Sequence, residues 1–339
     1  MISIRRPGKK ISSMSSQTYK IAAFYKFAPL PDYRERREPL RAFSEAQGVK
    51  GTILLAEEGI NSTIAGPNNG LEKVLEYIQS DPAIGKLKIK YSKAPEIPFY
   101  RMKVRLKKEI VRLGRPDVNP SDQVGEYVDP EDWNDLISDP KVTLIDTRND
   151  YECDLGTFQG AANPHTKNFR DFPRYVDSKL ADKKDQPVAM FCTGGIRCEK
   201  STSLLLKKGF KKVYQLNGGI LNYLEKVDPA DSLWQGDCFV FDNRVTVNHH
   251  LEPGSFDMCY ACRHAISEKD KRSPQYIEGI SCPHCFESLS DEQCKRAAQR
   301  QKQIEISQKL HRKHIGMTAE ERAVWREEKL EKRRPKRGL

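Results

Sequence analysis

The residues best suited to chemistry lie in one run, Met190-Phe191-Cys192-Thr193-Gly194-Gly195-Ile196-Arg197-Cys198-Glu199-Lys200. The apolar residues before Cys192 read as the end of a buried strand and those after Gly195 as the first turns of a helix, which puts the cysteine in a strand-to-helix loop. A thiol there faces helix N-terminal amides and the Arg197 guanidinium. Both favour the thiolate, which is the nucleophilic form. Gly194 and Gly195 let the backbone turn its N–H groups inward, so Thr193, Gly194, Gly195, Ile196 and Arg197 can cradle an anion or the outer sulfur of a persulfide. The competing reading is a buried structural cysteine beside an ordinary glycine turn. One loop that combines Cys, two Gly and Arg between strand and helix argues for the reactive one. Cys198 either resolves a persulfide or sulfenate on Cys192 by forming a disulfide or packs in the first helical turn.

A second set of thiols has ligand spacing. Cys259-Tyr-Ala-Cys262 and Cys282-Pro-His-Cys285 are separated by 19 residues. Four thiolates on two tight knuckles complete a tetrahedral Zn²⁺ shell, and the spacing matches a structural zinc ribbon or knuckle. Two redox dithiols, or residual cysteines of a site whose metal has been lost, are the alternatives. Since four cysteines already fill a shell, His249, His250, His264 and His284 are read as solvated or locally hydrogen-bonded.

These sites need elements to position them, and 339 residues suffice for two or three domains. Residues 1–18 are polar and irregular and read as a loose arm containing a second methionine, Met14. From Tyr19 the pattern alternates. Strands are expected at Tyr19–Phe27, Gly51–Leu55, Asn61–Ala65 and Leu87–Tyr91, with helices at Pro39–Gln47 and Leu71–Gln79. This βαββαβ order predicts a ferredoxin-like α+β domain over 19–114. A Pro/Gly/Asp/Asn-rich stretch, 115–124, reads as a linker. Short apolar runs at Val142–Ile145 and Val188–Phe191, separated by helical segments, predict an α/β domain with a parallel sheet over 125–229. Both runs end at polar motifs, as expected at the carboxyl edge of such a sheet. A Cys-rich segment, 230–294, begins with a strand pair within Phe239–Val247, and a charged helical tail occupies 295–339.

The net charge of +11 belongs to that tail: 295–339 holds 15 Lys plus Arg against 6 Asp plus Glu, and the first 294 residues hold 43 against 41. Such a segment attracts phosphate backbones by counterion release, although basic tails also serve as solvated helices. No run approaches the ~18 apolar residues of a membrane helix, and no signal-peptide core follows the basic N-terminal residues. A soluble cytoplasmic protein with no membrane partner is expected, and nine cysteines there are more readily thiols and ligands than disulfides. No dinucleotide fingerprint and no facial iron triad is found, so no flavin or nicotinamide site is assigned.

The cysteine loop resembles that of the rhodanese superfamily over about residues 125–229. Leu144-Ile145-Asp146-Thr147-Arg148 followed by Tyr151-Glu152, the segment Gly156 to Asn163 and the turn Val213 to Gly219 resemble further family motifs in family order. Asp146 and Arg148 then either help to order the loop or form a surface ion pair at a strand end. Related phosphatases enclose five residues between Cys and Arg, whereas Cys192 and Arg197 enclose four. The tighter cradle favours sulfur over phosphate.

The whole arrangement is similar to the rhodanese-containing tRNA uridine hydroxylases of bacteria. The resemblance rests on Glu58-Gly-Ile-Asn61, Pro98-Phe-Tyr-Arg101-Met-Lys-Val, the Cys192 loop and the trailing C-x2-C pairs, and spans about residues 19–290. It implies oxygen-dependent 5-hydroxylation of the wobble uridine of tRNA, with Cys192 catalytic, O2 as co-substrate and tRNA as partner; protein partners are not indicated. A persulfide sulfurtransferase and a non-catalytic RNA-binding module remain as alternatives.

Overall fold

The computed structural model describes residues 18–309 together with Val324 and Glu327. The arm assigned to residues 1–18, except Thr18, and the basic run at Lys332–Arg337 fall outside the described residues. Among those described, no helix is long and apolar enough to cross a membrane.

The first domain has the order β1 (Tyr19–Phe27), α1 (Arg37–Ala46), β2 (Lys50–Ala56), β3 (Gly59–Gly66), α2 (Asn68–Gln79), β4 (Lys90–Ala94), β5 (Met102–Leu106). Its sheet runs β4-β1-β3-β2-β5, the ferredoxin-like arrangement with one strand added. Alternation in β3 drives the packing: Ile60, Ile64 and their neighbours on β1 and β2 meet Leu71, Val74 and Ile78 of α2 in one apolar cluster. Two details differ from expectation. The last strand of the basic motif begins at Lys90, because Leu87 turns inward to the core before pairing with β1 begins. The stretch around Pro98–Val104, to which residue order assigns no element, contains β5, which pairs in parallel with β2 through Met102 and Val104. A five-residue strand with only two buried apolar residues leaves little periodic signal.

The 115–124 stretch is not a free spacer. Val118 within it, and Leu113 just before it, are buried in one cluster with Phe172, Val176 and Leu205, so it is a packed strap on the second domain. That domain follows as β6 (Glu126–Val128), α3 (Pro130–Ser138), β7 (Thr143–Asp146), α4 (Asp150–Cys153), β8 (Gly156–Phe158), α5 (Phe172–Lys179), β9 (Val188–Phe191), α6 (Ile196–Lys207), β10 (Val213–Leu216) and α7 (Gly219–Lys226). Its central sheet, β6-β10-β9-β7, is parallel throughout, with β9 between β7 and β10. All four residues of β9 are buried, which explains the unbroken apolar run before Cys192.

Beyond it, β11 (Trp234–Gly236) pairs with β8, and short pairs follow: β12 (Cys238–Phe239) with β13 (Thr246–Val247), and β14 (Asp257–Met258) with β15 (Ala265–Ile266). Helices α8 (Glu268–Lys271) and α9 (Asp291–Lys309) complete the described chain. Helix α9 is the visible part of the basic tail, and its Arg300 donates to the carbonyls of Tyr260 (2.9 Å) and Gly279 (3.1 Å).

Phe158 of β8 joins the second domain to this extension. Its fully buried ring lies edge-on to Phe191, Tyr223 and Trp234, with centroids 4.8, 4.7 and 5.2 Å away. Phe158→Ala should destabilise by about 3–5 kcal/mol. Urea unfolding measures this, and a loss below ~1 kcal/mol would show that the cluster does not carry the junction.

Candidate active site

Cys192 follows β9 and its sulfur is fully buried. The loop is built from backbone. Gly195 caps α6 with φ +97°, a conformation that favours glycine, and its N–H donates to the Cys192 sulfur at 3.1 Å. The Cys192 and Thr193 carbonyls accept from Ile220 and Leu221 at the start of α7 (3.0 and 3.1 Å). Gly219, at φ +69°, comes so close that a Cβ there would lie 2.4 Å from the Cys192 carbonyl oxygen. The two glycine turns lock together.

Burial alone pushes the Cys192 thiol up. The hydrogen bond with the Cys198 thiol, the Arg197 charge and the backbone amides of the first helical turn outweigh it and bring the pKa to about 5. Cys198 itself is held well above the ordinary thiol range by burial and by the neighbouring thiolate. It is thus the protonated donor of the pair, with Thr147 on its other side at 3.8 Å.

Arg197 has a partner that its motif did not reveal. It does not stand free in the loop: its guanidinium binds Glu152 of α4 through both nitrogens (2.5 and 2.9 Å) and touches Thr193 Oγ1 at 3.3 Å. Glu152 offsets much of its charge, so Arg197 acts as a strut between α4 and the loop as well as a cation. Asp146 and Arg148 do not form a surface pair. They are fully buried and bonded to each other, Arg148 also donates to Gly156 O, and Thr157 donates to Asp146. Among the described residues their bonds tie β7 to β8, and the guanidinium lies 5.1 Å from the Trp234 ring.

The first domain supplies groups that motif reading passed over. Tyr25 of β1 donates to Glu199 of α6 at 2.7 Å, and Tyr127 of β6 donates to the same carboxylate at 2.8 Å. Burial, and after it the Cys192 thiolate, raise the Glu199 pKa against these two hydrogen bonds. Lys90 of β4 donates to the Gly194 carbonyl at 2.9 Å. Lys200, almost wholly buried, pairs with Glu58 (2.8 Å) and Glu109 (2.7 Å). Glu58, singled out beside the β2–β3 turn, is therefore a domain tie, and it also accepts from Ile110 N. A usable signal did exist for Lys90: Lys86, Lys88 and Lys90 stand at alternate positions and form a basic stripe. Tyr25 carried none. Tyr25, Lys88 and Lys90 face Tyr127, Glu199 and Asn217 across a cleft of about 820 Å³ between the domains.

The second cluster is separate. The sulfurs of Cys259, Cys262, Cys282 and Cys285 all lie within 4.8 Å of one another, with 3.6 Å between Cys262 and Cys282 and 3.7 Å between Cys282 and Cys285. Tetrahedral thiolates about 2.3 Å from an ion stand about 3.8 Å apart, so the four could hold a metal ion. His264 and His284 stack on each other with centroids 5.2 Å apart and are not members of the four-sulfur group.

Fold and site define a two-domain α/β protein in which a rhodanese-like domain, with its cysteine loop, follows an acylphosphatase-like one. Residues 19–110 match the UPF0176 acylphosphatase like domain and residues 129–226 the Rhodanese-like domain, together more than half of the sequence. The chain belongs to the rhodanese-domain UPF0176 family. Similar solved structures include the rhodanese-like domain of an Anabaena sp. protein in solution (19% identity, 33% of this chain and 80% of that one, TM-score 0.28). A rhodanese-like domain protein from Staphylococcus aureus (20%, 29% and 90%, 0.25) and an acylphosphatase from Coxiella burnetii (13%, 26% and 93%, 0.22) are others. The family assignment rests on the two matched segments.

Replacing Glu152 by Gln strands a buried guanidinium. The expected cost is roughly 3–5 kcal/mol in urea unfolding. Stability equal to wild type would mean that Arg197 has another counter-charge.

Proposed function

We propose that the chain is a tRNA-modifying enzyme that hydroxylates C5 of the wobble uridine, with Cys192 as nucleophile and O2 as oxygen source, acting in the cytoplasm. The observation that carries this reading is a thiolate-forming cysteine beside an interdomain cleft lined by lysines and tyrosines. Lysines suit phosphates and tyrosines suit the faces of unstacked bases. Five lysines and arginines on α9 add to the electrostatic attraction of RNA.

Cys192 serves such a reaction by adding to C6 of the uracil. The new C–S bond moves the C5=C6 electron pair onto C5, which then takes oxygen; loss of the C5 proton and departure of the thiolate restore the ring. Over the whole turnover one atom of O2 replaces the C5 hydrogen and the other leaves as water. A thiol-class reductant supplies the two electrons and two protons. A Cys192 persulfide or sulfenate as the oxygen-handling group is the variant form of the same reading.

A sulfurtransferase is the second reading, favoured by the rhodanese fold and by the Gly195 N–H aimed at the sulfur, where it can stabilise a persulfide. Nucleoside mass spectrometry of tRNA separates the two. Cells carrying Cys192→Ala should lose 5-hydroxyuridine with thiolated nucleosides unchanged. The opposite pattern selects sulfur transfer, and full activity in Cys192→Ser would leave only a non-catalytic RNA-binding module.

We assign structural Zn²⁺ to Cys259, Cys262, Cys282 and Cys285, where it would close the β14–β15 unit against the turn before α9. Protein purified without chelators should contain about one Zn per chain. Cys259→Ser with Cys282→Ser should contain none, and metal retained in that double variant would place the ion elsewhere.

A further inference from the structure

Three side-chain cations approach the Cys192 loop, and two are already paired with carboxylates. Arg197 is bound by Glu152, and Lys200 by Glu58 and Glu109. Lys90 is the exception. Among the described residues it has no carboxylate within ion-pair distance; it lies 5.4 Å from the Tyr25 ring centroid and donates to the Gly194 carbonyl oxygen at 2.9 Å.

That carbonyl belongs to the peptide group joining Gly194 to Gly195. The other end of the same planar trans group is the Gly195 N–H, which binds the Cys192 sulfur at 3.1 Å. Carbonyl and N–H of one trans peptide point in opposite directions, so a cation on the oxygen holds the hydrogen toward the sulfur. It also polarises the amide and strengthens the hydrogen bond to a thiolate. The reversed peptide would aim a carbonyl oxygen at the thiolate. Glycines on both sides make that reversal sterically cheap, so something must hold the orientation.

We propose that Lys90, carried by the first domain, is a positioning residue for the Cys192 nucleophile, locking and polarising the Gly194–Gly195 peptide and supplying the uncompensated positive charge beside the thiolate. The reactive centre is then composite: the second domain supplies the sulfur, and the first supplies the cation that orients its amide.

The surrounding groups are consistent with this role. Lys90 faces Cys192, Glu199 and Lys88, with the Tyr25 ring beside it; Cys192 faces Arg197, Cys198 and Glu199, and Glu199 is held by Tyr25 and Tyr127. Burial pushes the Lys90 ammonium down to about 8 against the pull of Cys192 and Glu199, while the Cys192 thiol stands at about 5. Between these values the thiolate and the ammonium coexist. The sign follows: below the window the sulfur is protonated, and above it the lysine loses its charge.

The inference rests on Cys192 being the nucleophile but not on the substrate, so its test uses no RNA. The ultraviolet absorbance of the thiolate is followed in the full-length protein across pH 4–9 for wild type, Lys90→Met, Lys90→Gln and Lys90→Arg, each as the difference from the same protein carrying Cys192→Ala, so that no reagent has to reach the buried sulfur. The pH midpoint should lie near 5 in wild type, as Cys192's pKa implies, rise by about one unit in the two neutral variants, and stay near wild type in Lys90→Arg. Two neutral replacements of different shape keep the comparison available if one fails to fold, which circular dichroism reports. A low midpoint unchanged in the neutral variants, or one raised equally in Lys90→Arg, overturns the role of Lys90 alone. A wild-type midpoint in the ordinary thiol range, near 8.5, overturns this inference together with the reading of Cys192 as an activated nucleophile.

Discussion

A lysine with almost no solvent exposure governs how this molecule is put together. Lys200 sits in the second turn of α6, and an uncompensated ammonium there would cost several kcal/mol. Its two counter-charges, Glu58 and Glu109, both come from the chain before the second domain. The parallel sheet cannot bury its own central helix without the first domain. The same helix carries Arg197, Cys198 and Glu199, so the contact that satisfies Lys200 also brings Tyr25 and Lys90 to the cysteine loop.

This dependence explains what could be read from residue order and what could not. The strand ending at Phe191, the loop from Cys192 and the four-cysteine knuckles announce themselves through local pattern. An apolar run of four followed by two glycines, or paired C-x2-C spacing, means much the same in any context. The ferredoxin-like order was legible for a similar reason, since β1, β3 and α2 each carry a clear period. The first half of α6 was misleading in kind. Arg197-Cys-Glu-Lys-Ser-Thr-Ser203 has the polarity of a solvated surface, yet every residue in it is buried. Glu199 and Lys200 answer groups of the first domain, Arg197 answers Glu152, and Ser201 and Thr202 answer the Cys198 carbonyl of their own helix; none of these partners appears in a single segment's periodicity.

The buried pairs obey the same rule. Asp146 with Arg148 and Arg197 with Glu152 are each a close bidentate contact between partners far from water. Motif reading located all four residues but could not say which carboxylate belongs to which guanidinium. Only the packing of α4 behind the loop decides that Glu152 takes Arg197, leaving Asp146 to Arg148 two residues along the same strand end. Lys90 lay outside every motif because its importance derives from a carbonyl oxygen, and backbone atoms have no letter in a sequence.

The complete burial of the Cys192 sulfur has a consequence for the lifetime of whatever it carries. An oxidised or sulfur-bearing cysteine on an open surface is consumed by the first soluble thiol it meets. Here the β9–α6 loop lies beneath the first domain, and a side chain as small as a methyl group on Gly195 would press on the Tyr25 hydroxyl, 3.0 Å away. Such a centre can keep its charge between encounters and spend it only on a partner able to part the two domains. The rate of that parting, more than the intrinsic reactivity of the sulfur, then sets how often the protein can act.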